Sequence, residues 1–97
     1  MGSKLMMVKV VFEYFIQYFK KGETESYSSY TENYTKIKAF DQDDSYETML
    51  RACRKEIESE FDIKSNDTDE KTGKEFKVEI TYDLNNLISY QILAEEN

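Results

Sequence analysis

The sequence predicts an α+β domain in which a four-stranded antiparallel sheet carries one helix packed on one face, a two-layer β-β-α-β-β arrangement. Three observations predict it. A β-branched and aromatic run lies near the start, an apolar stripe of helical period occupies the middle, and strict apolar and polar alternation marks the C-terminal part. Ninety-seven residues fit one domain, since a chain of this size buries only about 60–70% of its unfolded surface and sustains a single core. With 39% apolar and 14% aromatic residues, the chain has enough to bury despite its 34% charged content.

The first element spans 7–19, where β-branched and aromatic side chains suit a pleated, half-buried surface. Its even positions Val8, Val10, Phe12, Tyr14, Ile16 and Tyr18 form one uniformly apolar face. On the other face Val11, Phe15 and Phe19 are spaced four apart, so a helix over 10–20 competes. β-Branching at Val8, Val10, Val11 and Ile16 favours the strand. A turn follows at Lys20 to Glu25, with Gly22 free to take positive φ. The chain returns through Ser26 to Phe40, where Thr35, Ile37 and Ala39 alternate with Lys36 and Lys38. Its first part, 26–33, is compatible with strand or with a Tyr-rich loop.

Asp44-Ser-Tyr-Glu47 has the pattern of a helix capping box. Tyr46, Met49, Leu50, Cys53, Ile57 and Phe61 then repeat as an apolar stripe over about four turns. Glu47 with Arg51 and Arg54 with Glu58 are candidate i,i+4 pairs. Residues 62–73, dense in turn formers, predict an exposed loop. Beyond it, Phe76, Val78, Ile80 and Tyr82 alternate with charged and polar residues as a strand with one wet face. Leu84-Asn85-Asn86 predicts a three-residue turn with Asn86 in the left-handed region, which places Ile88, Tyr90 and Ile92 of a fourth strand on the same face. Residues 1–6 (MGSKLM) read as an expression leader ahead of a start at Met6 or Met7, 7–94 as the domain, and 95–97 as a frayed acidic tail.

Catalysis has little to draw on. The chain has no histidine, the usual general base near neutral pH and the commonest transition-metal ligand. Cys53, the single cysteine, sits within the helix stripe and reads as a small buried hydrophobe rather than a nucleophile. No motif implies a cofactor. The acid clusters Asp41, Asp43, Asp44, Glu47 and Asp67, Asp69, Glu70 lack the glycine and terminal glutamate of a calcium loop, and read as helix capping and loop solvation. A lone cysteine indicates a reducing compartment, with the cytoplasm as the default. The longest apolar stretch, Val8 to Phe19, is interrupted by Lys9, Glu13 and Gln17 and falls short of the ~20 residues of a membrane span.

Charge divides the chain. Residues 1–40 carry six lysines and four glutamates, for +2, while 41–97 carry seven bases and sixteen acids, for −9. Part of the acidity has local explanations in capping and loop solvation. What remains is Glu56, Glu58, Glu60 and Asp62, read as an acidic outer helix face, with one-turn pairs about 6 Å apart along the axis. Such rows resemble the charge track of a phosphate backbone. They predict a non-enzymatic protein that occludes a basic surface of a larger partner, one that handles nucleic acid. In size, acidity and lack of histidine the chain is similar to inhibitor proteins of phages and mobile elements, anti-CRISPR proteins among them, though no motif ties it to a family.

Two alternatives come from the first hairpin. Val11, Phe15 and Phe19, together with Tyr27 and Tyr30, form an aromatic sheet face suited to homo-oligomeric assembly. Tyr14, Tyr18, Tyr27, Tyr30 and Tyr34 with Lys20, Lys21, Lys36 and Lys38 offer stacking and positive charge for single-stranded nucleic acid. The net charge of −7 opposes that last reading.

Overall fold

The computed structural model describes residues 4–61 and 63–96, the side chains of 84–86 excepted. The chain runs through β1 (Leu5–Lys20), β2 (Ser26–Asp41), α1 (Tyr46–Glu58), β3 (Asn66–Thr68) and β4 (Glu75–Glu95). It is α+β, with one antiparallel sheet in the order β2-β1-β4-β3 and one helix.

β1 forms as a strand, not as the competing helix, because its even positions bury together. Val8, Val10, Phe12 and Tyr14 are wholly buried, and Met6, Ile16 and Tyr18 nearly so. The turn at Gly22 takes φ 86°, and β2 pairs with β1 from Ser26 to Asp41, so 26–33 is strand. Lys36 and Lys38 fall opposite Val10 and Val8, on the helix side. Ile37, opposite Lys9, is left 53% exposed on the other face.

α1 begins one residue later than the capping-box pattern predicts. Ser45 is the N-cap, its Oγ accepting from the Thr48 amide at 3.1 Å, while the Asp44 carboxylate accepts from the Asp41 amide at 3.2 Å. The helix also ends early, at Glu58. The amides of Glu60 and Phe61 then donate to the carbonyls of Ile57 and Glu58, and this tight turn delivers Phe61 to the core beyond the helix end. Neither Glu47–Arg51 nor Arg54–Glu58 forms an ion pair. The Arg54 guanidinium lies over the Phe12 ring at 5.6 Å, and Glu58 accepts from the Tyr14 hydroxyl at 3.5 Å.

The C-terminal half departs further from expectation. The predicted turn at Leu84-Asn85-Asn86 is absent, and β4 runs through it unbroken. Among the described residues only Gly22 and Gly73 have positive φ. The reason is that β1 needs a partner along its full length on its second side. β4 pairs with it from Val78 to Glu95, and register shifts beside Met7/Val8, Val11/Phe12 and Glu13/Tyr14 absorb the surplus residues as bulges. The bulges keep Leu87, Tyr90 and Ile92 opposite Phe12, Val10 and Val8. β3 forms inside the predicted exposed loop, Asn66 to Thr68 pairing with Lys77 to Glu75 across a turn at Gly73, φ 72°.

Both predicted termini are drawn into the sheet. Leu5 and Met6 belong to β1, and Met6 is only 7% exposed. Glu95 pairs with Met6, the Glu96 amide donates to the Leu5 carbonyl at 3.0 Å, and Gln42 Nε2 donates to the Glu96 carbonyl at 2.9 Å. Glu95 and Glu96 of the predicted tail thus have partners in the sheet and in Gln42, and Asn97 lies outside the described residues.

The result is long and one-sided. Its radius of gyration is 18.1 Å over extents of 62 × 23 × 18 Å, where a compact domain of this length has about 13 Å. The core lies between α1 with its following segment and the even face of β1. Among the described residues no element crosses the opposite face.

Candidate interaction surface

The acidic helix row is occupied from within. Lys38 Nζ donates to Glu56 Oε1 at 2.6 Å, Lys36 Nζ donates to Glu60 Oε1 at 2.8 Å, and Lys36 also lies 3.9 Å from Glu56 Oε2. Glu58 takes the Tyr14 hydroxyl, and Asp62 lies outside the described residues. The bond from Lys38 holds the Glu56 carboxyl below the usual carboxylate range, and the bond to Glu60 holds Lys36 above the usual lysine range. At the far end Lys20 pairs with Asp69 at 3.6 Å. Hairpin lysines thus meet acids of the second part, and the charge division of the sequence is bridged in the fold. Only their placement on the helix side of β2 reveals this. The alternation around Ile37 had already assigned Lys36 and Lys38 to one face, but not to the helix-covered one.

The aromatic group separates into two sets. Tyr30 pairs with Ile16 and contacts the Tyr18 ring at 6.1 Å, on the helix side. Tyr27 packs on Phe76 at 5.1 Å and donates to Asp67 at 2.9 Å, also on that side. Neither shares a face with Val11, Phe15 and Phe19, which correct the predicted cluster to three residues. A strand bulge at Tyr18/Phe19 lies where the hairpin parity changes, a feature the alternation does not show. The tyrosines predicted to stack bases are mostly inside: Tyr14 and Tyr18 are buried, and Tyr30 and Tyr34 half-buried against the core.

Burial, helped by hydrogen bonding, makes the phenols of Tyr14, Tyr27, Tyr34 and Tyr90 reluctant to ionise. Burial is the first cause for Tyr14, Tyr34 and Tyr90, all raised above the ordinary value, and Tyr27 is pushed up to about 12 by burial and its bond to Asp67. A raised folded value means stability fully present below the ordinary pKa near 10 and lost as pH rises through the folded value. The share of tyrosinate absorbance that belongs to Tyr14, Tyr27, Tyr34 and Tyr90 is therefore expected to appear only together with loss of circular dichroism above pH ~10. A full phenolate signal from still-folded protein would refute it.

Cys53 is completely buried, and burial pushes its thiol up, away from the reactive thiolate. Among the described residues no group of three or more His, Cys, Asp or Glu is arranged to hold a metal ion. No helix among them is long and apolar enough to cross a membrane.

The outer face of the sheet remains. Along β1 it presents Leu5, Met7, Lys9, Val11, Glu13, Phe15, Gln17 and Phe19, alternating with the buried set. The flanking positions are small or uncharged over most of its length: Thr31 and Thr35 on β2, Thr81, Ser89 and Gln91 on β4. At one end Leu5, Met6, Met7, Ala39 and Ala94, with Glu95 and Glu96 at its side, line a largely apolar hollow of about 260 Å³. Leu5 is 46% and Met7 38% exposed. The acids Glu79 and Asp83, opposite Phe19 and Phe15, are exposed on the β4 side. Comparisons with protein families, with curated proteins and with solved structures return no match to this chain.

Proposed function

We propose that this protein is a non-catalytic binding module that works through the outer face of its sheet. The observation that carries the reading is the one-sided cover: α1 and the segment after it pack on the even face of β1, while Val11, Phe15 and Phe19 lie half-buried on the opposite face, which no described element covers. Apolar side chains gathered on an uncovered sheet face mark protein contacts. The chemistry of the chain, without histidine and with its one thiol sealed in the core, supports binding over catalysis. A reducing compartment suits that lone thiol.

The test uses the double variant Val11→Thr/Phe15→Thr, which keeps β propensity while removing apolar area. Its melting is expected to match that of the unmodified chain, while proteins retained by immobilised unmodified chain, copies of itself included, are lost. Equal retention by both would sink the reading. Occlusion of a basic partner by Glu56, Glu58 and Glu60, in the manner of phage inhibitors that mimic nucleic acid, is the second reading; the net charge of −7 supports it. It draws less support from the helix row, whose carboxylates already have Lys36, Lys38 and Tyr14 as partners.

A further inference from the structure

The outer face carries two features that share one midpoint. Lys9 and Glu13 are half-buried on β1, and neither is within ion-pair distance of an opposite charge among the described residues. They lie two positions either side of Val11, about 13 Å apart along the strand. The apolar hollow is lined by Leu5, Met6, Met7, Ala39 and Ala94 with Glu95 and Glu96, Met7 standing between its partners Ala39 and Ala94, and Phe15, one of the two phenylalanines of the same row, stands eight residues from Met7. The midpoint of Met7 and Phe15 is again Val11.

A two-fold axis through Val11, lying in the face and perpendicular to the strands, therefore satisfies both at once. It sets Lys9 of one copy over Glu13 of the other, and Phe15 of each copy over the other's hollow. Resting on the reading of the outer face as a binding surface, we infer that its occupant is a second copy of this chain, stacked sheet on sheet with antiparallel β1 strands. Isologous contacts require such self-complementarity, and sheets stack about 10 Å apart, a gap that side chains of this length fill. The accessible surface is 6861 Å², about 1,000 Å² above the ~5,800 Å² expected for a compact folded 11.5 kDa monomer, as the extended shape requires, and a standard interface would bury about 800 Å² per partner. Glu79 and Asp83 lie to one side on β4, where their carboxylates stay in water.

Sedimentation velocity from low to high micromolar concentration tests this. The unmodified chain is expected to shift from monomer to dimer. Lys9→Glu and Glu13→Lys should each weaken dimerisation about tenfold or more, because each reversal sets two like-charge pairs in the interface. The double variant Lys9→Glu/Glu13→Lys should regain it. A chain that stays monomeric throughout overturns the inference, and so does a dimer that neither single reversal weakens. The binding-face reading stands or falls separately, on whether Val11→Thr/Phe15→Thr loses captured protein.

Discussion

Replacing Phe61 with alanine is expected to lower the free energy of unfolding by about 3–5 kcal/mol, the range for large aromatic truncations in cores. Phe61 sits past the end of α1, 7% exposed, with its ring 5.1 Å from Tyr14, 5.2 Å from Tyr34 and 5.0 Å from Tyr82. Those three rings belong to β1, β2 and β4, so one side chain fastens the helix exit to all three long strands. The pairs with Tyr14 and Tyr82 are edge-on and that with Tyr34 tilted, and such aromatic pairs add roughly 0.5–1.5 kcal/mol each beyond area burial. A domain of this kind has about 5–15 kcal/mol in total, and a core on one side of a sheet has few other contacts to compensate. Urea unfolding followed by circular dichroism reads the change. Phe15→Ala, on the bare face, is the control, with an expected effect within about 1 kcal/mol. Loss of less than that for Phe61→Ala would show that the ring cluster is not what holds the helix exit.

The contrast between these two phenylalanines shows what periodicity discloses. Alternation along β1 separates Phe12 from Phe15, and it correctly places Phe12 inside because the whole even set is apolar. The same rule sets Thr35, Ile37 and Ala39 on one face of β2 and Lys36 and Lys38 on the other without saying which is inner. The structure puts Lys36 and Lys38 on the helix side, where they find carboxylates. Alternation along one strand carries no information about partners on another element. In the C-terminal part, a reversal of the chain and a pair of bulges both shift the phase of alternation and then restore it. Leu84-Asn85-Asn86 carries turn-forming residues, so the local signal favours reversal. Length decides otherwise: sixteen residues of β1 require a long neighbour, a demand that exists only once the sheet is assembled. For the outer sheet face, Val11, Phe15 and Phe19 were legible from their spacing, whereas Met7, Ala39 and Ala94 were not. Their hollow brings together the start of β1, the end of β2 and the end of β4.

Reversing Glu56 and Glu60 together to lysine is expected to lower the melting temperature by several degrees, and reversing Lys36 and Lys38 to glutamate to do the same. Each change sets like charges at the contacts now spanning 2.6 and 2.8 Å. Carrying all four substitutions should restore much of the loss, as a double-mutant cycle requires of groups that interact. The effect should shrink in 1 M salt, where screening extends only about 3 Å. Its pH window follows from the shifts. Glu56 is lowered, so its contribution is present above the ordinary carboxylate pKa of about 4.3 and is lost as pH falls through its folded value; Lys36 is raised, so its contribution is present below about 10.4 and is lost as pH rises through its folded value. This experiment also separates the two uses of the acidic row. If Glu56→Lys/Glu60→Lys abolished binding to a basic partner while leaving melting unchanged, the row would be free for an external contact. Restoration by the lysine reversals instead assigns it to docking the helix on the hairpin, and the lysines of the first part and the acids of the second become two halves of one internal interface.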